Sequence, residues 1–345
     1  MKKIKCLFTG LLMGALLFSV TGCSGDTSWA VKTENDTVPA GVYLSYLMDA
    51  YSEAQGLADA SKDLWSQTIE EVSAEQWIVN KAMKTTRQYV AVNLMFDELG
   101  MTMGTEGTNT AKTKADSYWS QYQKTYEQNG ISYASVLKLA ENDYKTQKIF
   151  DYFYETNGVE PVSEETIQGH FYDNYAKVKY LSVSRTKPDG TKIDEAELKK
   201  TVDGYITEIN RGKNIDEVID EYLTELYSDY GLSDYKPDTS DSDRNVTLLS
   251  KQQGGSLEGF VEKTFEQKEY NVPYSDDTSE GYIFLGARYD LSKDDELYAK
   301  NREAVLRQLR GEEYTQKLES RLESVKVTVN EEAVNRYSPR NIKLS

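Results

Sequence analysis

A chain of 345 residues with 57 acidic and 40 basic side chains carries a formal net charge of −17. Such a balance repels phosphate backbones and anionic headgroups, which argues against nucleic-acid binding and against membrane attachment by charge alone. The length suits two or three domains, and a chain of this size buries roughly 75% of its unfolded surface without covalent staples.

The first residues read as an export signal rather than as fold. Lys2, Lys3 and Lys5 form a basic start, and Leu7 to Val20 is an apolar run too short for an ordinary spanning helix. It ends in Val20-Thr21-Gly22-Cys23, an aliphatic residue and two small ones before a cysteine, which resembles the bacterial lipobox. Cys23 is therefore the expected lipidation site and new N-terminus, after a signal peptide of residues 1–22. Cleavage there removes three lysines and no acid, taking the net charge to −20. Diacylation then supplies the two-chain anchoring that charge cannot. The only other cysteine, Cys6, leaves with the signal. The mature chain thus has no disulfide, no thiolate metal site and no thiol nucleophile.

Residues 23–36 are small and polar and read as a tether. From Pro39 to Ala60, Tyr43, Tyr46, Leu47, Ala50, Tyr51, Ala54 and Leu57 recur at helical steps. Ser73 with Gln76 opens a second helix as a capping box, with a stripe from Ile78 through Tyr89 to Leu99 and Gly100 as its stop. Gly104 to Thr110 reads as a loop. A third helix carries Ala115, Tyr118, Trp119 and Tyr122 to Gly130, and a fourth runs from Ser132 through Val136, Leu139, Phe150 and Tyr154 to Gly158. Four helices without intervening strands predict an all-α region over 37–160.

Pro161-Val-Ser-Glu-Glu reads as an extended link, then a cap with acids in the first turn of a short helix through Tyr175, and Lys177–Ser184 is the first convincing strand. A turn at Pro188-Asp189-Gly190 leads to helices over 194–211 and 215–227, an acidic loop over 228–243, and a short helix after Gly254-Gly255. Gly281–Gly286 is a second strand. A long helix from Asp294 carries Leu297, Val305, Leu306, Leu309, Tyr314, Leu318 and Leu322, and a strand-like run follows at Val325–Val329.

Few residues can carry chemistry. His170 is the sole histidine, so a serine triad or a histidine zinc site would have to use it alone. Asp241-x-Asp243-x-Asn245 starts like a calcium loop, but Val246 and Gln252 stand where glycine and glutamate are required. Ala111-Lys112-Thr113 lacks the glycine that a phosphate loop needs before its lysine. Neither a metal nor another cofactor is expected. The 26 tyrosines either fill helix cores or line an open groove for unfolded chain, since rigid amphipathic rings contact varied sequences at low entropic cost.

Four segments, in order, point to a family. They are Val178-Lys-Tyr-Leu-Ser-Val, the helix end Asn210-Arg-Gly-Lys-Asn-Ile-Asp-Glu-Val218, the turn Gly254-Gly-Ser-Leu257, and the strand Gly281-Tyr-Ile-Phe. With the lipobox, the helical N-terminal region and the long returning helix, they resemble the extracytoplasmic foldases of the PrsA/SurA type, whose insert is a parvulin-type peptidyl-prolyl isomerase domain. The resemblance implies an α+β fold, with a mostly helical chaperone-like domain over 37–160, a parvulin-like insert over 161–290 and a returning helix over 291–345. It also implies that strands 177–184 and 281–286 lie side by side in one small sheet.

Active parvulins carry two histidines, one on the first strand and one on the last; the corresponding positions here are Tyr180 and Ile283. The aspartate of the Gly-Gly-Asp-Leu turn is Ser256. Those departures imply a lapsed site, no catalytic residue and a foldase or chaperone role toward unfolded, exported polypeptides. The alternatives are an isomerase that tolerates the altered site and, from another class, a solute-binding lipoprotein of a transporter, which would need two α/β lobes.

Overall fold

The computed structural model describes residues 27–34, 36–241 and 243–344. The lipobox and Cys23 lie outside them. Among the described residues the elements run β1 (Trp29–Lys32), β2 (Thr37–Pro39), α1 (Ala40–Leu57), β3 (Thr68–Ile69), β4 (Val72–Ser73), α2 (Ala74–Glu98), α3 (Gly104–Gln128) and α4 (Tyr133–Tyr154). There follow α5 (Glu164–Asn174), β5 (Tyr175–Ser184), α6 (Glu195–Asn210), α7 (Ile215–Asp229), β6 (Val246–Ser250), α8 (Glu258–Glu266), β7 (Pro273–Asp276) and β8 (Tyr282–Tyr289). The chain closes with α9 (Asp295–Glu323), β9 (Thr328–Val329) and α10 (Glu331–Arg336). The fold is α+β. No described helix is long and apolar enough to cross a membrane.

Two compact units emerge: the described residues up to Phe150 with those from Thr315 on, and Asp151–Tyr314. The second is wider than the 161–290 read from the sequence, because α4 and α9 each run unbroken past a boundary.

In the first unit the predicted stripes of α1 and α2 are largely buried, whereas Leu57 at the end of α1 and Tyr118 and Tyr122 of α3 stay exposed. Tyr43, Leu47, Ala50 and Ala54 of α1 pack in one core with Ile78, Ala82 and Tyr89 of α2 and Val136 of α4. Ser73 caps α2 by accepting from the Gln76 amide, and Gly100 closes it with a left-handed φ of 66°.

Three expectations need correction here. The tether contains β1, whose Ala30 and Val31 are wholly buried and which pairs with both β2 and β9. The helices are not free of intervening strands, since β3 and β4 form a hairpin whose turn residues Glu70 and Glu71 both have positive φ. Without glycine or asparagine there, the sequence carries no turn signal. Finally, Gly104–Thr110 is helical, the first two turns of α3. Its Gly, Thr and Asn content is poor for a helix, but Gly107 must be small: a Cβ there would sit 2.5 Å from the Tyr144 ring. Close packing of α3 on α4 outweighs propensity.

The second unit holds a four-stranded antiparallel sheet in the order β6-β5-β8-β7. β8 pairs with β5 over its whole length, from Lys177↔Tyr289 to Ser184↔Tyr282. The two strands expected to be neighbours are neighbours. β6 and β7 were not anticipated. β7 starts on Pro273 and lies at the sheet edge, where a missing N–H is tolerated. The side chains Leu181, Val183, Ile283 and Leu285 meet α6 and α7 on one face, and Ala176, Val178, Leu249 and Phe284 meet α8 on the other.

Candidate functional site

Strand alternation decides what Tyr180 and Ile283 can do together. Tyr180 faces Gly286 across the ladder and Ile283 faces Val183. Residues opposite one another share a face and neighbours along a strand do not. Tyr180 therefore points toward α8, whereas Ile283 is buried among the side chains of α6 and α7. The structure does not bring the two together. On the face of Tyr180, which stands directly opposite Gly286, the diagonal cross-strand position is filled by Phe284.

That face is packed with rings. Tyr180 lies 5.4 Å from Phe260 and 6.2 Å from Phe284, and Phe260 stacks on Tyr274 at 5.4 Å. The Tyr274 and Thr264 hydroxyls share a buried hydrogen bond of 2.7 Å, and burial pushes the Tyr274 phenol up to about 12. Gly286 admits Phe260 to the sheet, since a Cβ there would lie 2.7 Å from Phe260 Cζ. No imidazole lies near. His170 is on the surface of α5, where its carbonyl accepts from the Asn174 amide at 2.9 Å. Ser256 is exposed beside the Gly255 turn.

Beside Tyr180, a cleft of about 300 Å³ is bounded by Ser182, Tyr222, Leu226, Asn245 and Thr247. It adjoins the part of β5 that β6 leaves unpaired, because β6 ends its ladder at Lys179↔Val246. One amide of this edge, Ser184 N–H, donates to the Tyr222 phenol at 3.3 Å. Hydroxyls and amides here can hold an extended backbone by hydrogen bonds. They offer no group poised for proton transfer near neutral pH.

On the opposite face is a pair that sequence reasoning missed. Lys179 Nζ lies 2.6 Å from Asp216 Oδ2, with side-chain exposures of only 11% and 6%. Asn245 donates to the other Asp216 oxygen at 2.9 Å. Burial by itself would raise the Asp216 carboxyl, but the bonds from Lys179 and Asn245 and the charge of Arg244 outweigh it and hold it below the usual range. Asp216 belongs to the quoted helix end, so its position was visible, but a lone charged residue gives no sign that it is buried. The rejected calcium loop sits close by: Asn245 is spent on Asp216, and Asp241 accepts from the Asp243 amide at 2.8 Å. Among the described residues no group of three or more His, Cys, Asp or Glu could hold a metal. Lys112 lies within α3 and pairs with Asp116 at 2.6 Å.

This is an α+β protein whose sheet presents an aromatic face and an adjoining polar cleft. No protein-family model and no curated protein matches the chain. Among the solved structures it is similar to are PrsA proteins. With PrsA from Bacillus subtilis it shares 15% identity over 91% of this chain and 98% of that one, at a TM-score of 0.31. With the foldase protein PrsA of Lactococcus lactis the values are 13%, 91%, 99% and 0.33, and with that of Streptococcus pneumoniae 11%, 81%, 98% and 0.39.

Proposed function

We propose that the chain is a membrane-anchored, extracytoplasmic foldase or chaperone-like lipoprotein with a parvulin-type insert that does not catalyse proline isomerisation. The observation that carries this reading is the face of β5 and β8. The two strands pair as the resemblance requires, yet Tyr180 and Phe284 fill the space between them and α8 with rings. Stabilising a twisted amide needs polar groups that bind it better than the planar ground state; of the rings here Phe260 and Phe284 carry none, and the Tyr274 hydroxyl is bonded to Thr264. Unfolded, exported polypeptides are the proposed partners, held through the cleft beside β5 and through aromatic surface. A solute-binding lipoprotein fits less well, because the one four-stranded sheet lies in the second unit and the first unit is mainly helical.

Two assays test this. The chain should leave the cis–trans rate of a proline peptide and of a proline-limited refolding protein at the uncatalysed value, while suppressing aggregation of an unfolded client at near-stoichiometric amounts. Robust turnover that Tyr180→Ala abolishes would instead establish an isomerase. For the anchor, an alkynyl fatty acid fed to cells should label the chain, and Cys23→Ala should lose the label and release the protein from the membrane fraction. Unchanged labelling in that variant would remove Cys23 from the proposal.

A further inference from the structure

Three helices of the first unit enclose a cavity of about 430 Å³ that nothing above uses. α1 contributes Tyr46 and Asp49, α3 contributes Tyr118, Tyr122 and Tyr126, and α4 contributes Asp143. Each set follows helical spacing, so each turn directs another ring or carboxylate to the same space. Tyr118 and Tyr122 remain 40% and 44% exposed, which leaves the aromatic wall open to solvent.

The polar groups of this wall are unevenly matched. Asp143 is bound by Lys114 at 2.9 Å, and the same Lys114 ammonium stands 5.7 Å over the Tyr118 ring. One ammonium is thus already held by a carboxylate and an aromatic face. Asp49, by contrast, makes no hydrogen bond or ion pair among the described residues, and neither does the Tyr46 hydroxyl. Asp49 is exposed at the mouth of the cavity, where partial desolvation by the surrounding rings, and after it the neighbouring Asp143 charge, push its carboxyl up. A positive charge entering the cavity would relieve that repulsion and find ring faces around it.

We infer that this cavity binds an organic cation, the ammonium or guanidinium group of a lysine or arginine side chain or of a free amine, with Asp49 as its counter-ion and Tyr46, Tyr122 and Tyr126 as its aromatic walls. The inference does not rest on the foldase reading, since a free amine satisfies the same chemistry. Trp119 stacks on Tyr126 at 6.0 Å and provides an optical reporter close to the site.

The test is calorimetric titration of the full chain, followed in parallel by tryptophan fluorescence, with three probes: a blocked pentapeptide carrying one lysine, the same peptide with norleucine, and cadaverine. The lysine peptide or cadaverine should bind, and the norleucine peptide should bind at least tenfold more weakly. Asp49→Asn, which keeps the shape of the wall, should cost at least tenfold, and Tyr122→Ala severalfold. Circular dichroism of both variants should match the parent, because neither side chain is in the core. A preference for the peptide assigns the cation to polypeptide clients, and tighter binding of cadaverine assigns it to free amines. Equal binding of the norleucine peptide, an affinity unmoved by Asp49→Asn, or no binding of any probe at millimolar concentration would overturn the site.

Discussion

Replacing Asp216 by alanine should destabilise the second unit by about 3–5 kcal/mol, the usual cost of leaving one member of a buried ion pair without its partner. The variant takes the Asp216 carboxylate away from the Lys179 ammonium between β5 and α7, in a pocket where the Lys179 side chain is 11% exposed. It also orphans the Asn245 amide that now donates to Asp216. Against a typical domain stability of about 5–15 kcal/mol, that loss is large. The double variant Lys179→Met/Asp216→Leu should recover most of it, because well-packed apolar side chains of similar volume often match a buried pair. Hydrogen exchange of the β5 and β8 amides is the suitable readout, since Trp29, Trp65, Trp77 and Trp119 all lie outside this unit. If the double variant exchanges as fast as Asp216→Ala, the pair contributes more than charge compensation.

The same carboxylate sets a pH dependence of definite sign. Its folded pKa is depressed below the unfolded value. The stability it confers is therefore fully present above the unfolded carboxylate value of about 3.9 and is lost as pH falls from there through the lower folded value. Protection of β5 and β8 should fall steeply in that window in the parent chain. Asp216→Ala should be less stable at neutral pH and show a shallower fall, because one of the protons taken up on unfolding at low pH is gone.

What could be read in advance follows from how each signal arises. The amphipathic stripes of α1, α2 and α9 repeat often enough to outvote individual residues, and the cap at Ser73 fixed the start of α2 from side-chain chemistry alone. The pairing of β5 with β8 followed from motif order. Lost to inspection were features that depend on a partner far along the chain. β1 needs β9, some 300 residues away, to bury Val31 against Val329. Gly107 belongs in a helix only because Tyr144 presses on it. Tyr180 and Ile283 were each placed on a strand correctly, yet motif alignment has no access to ladder register, and a one-residue offset between two strands puts their side chains on opposite faces. Lys179, one position from Tyr180, was passed over for the reverse reason: charge in a strand reads as surface until Asp216 is seen beneath it.

Phe260→Ala should cost about 3–5 kcal/mol, the range for emptying a fully buried aromatic site. Phe260 is wholly inaccessible and touches the rings of Tyr180, Tyr274 and Phe284 at centroid distances of 5.4 to 5.5 Å. Gly286→Ala should cost about 1–3 kcal/mol, because its methyl group would meet Phe260 Cζ at 2.7 Å and the Lys179 carbonyl and Tyr180 Cβ at 3.0 Å. Combining them tests whether ring and glycine are matched. With Phe260 truncated, the closest clash disappears and the added methyl occupies part of the vacated space. The double variant should then be more stable than the sum of the single losses predicts, by about 0.5–3 kcal/mol of coupling. Strict additivity would mean that the Gly286 methyl is excluded by the backbone of β5 alone, and that the ring-filled face tolerates change at Phe260 without reference to the strand beneath it. A face that owes its shape to a glycine–ring contact changes only when both partners change, so Phe260 and Gly286 have to be varied together to reshape the wall beside Tyr180.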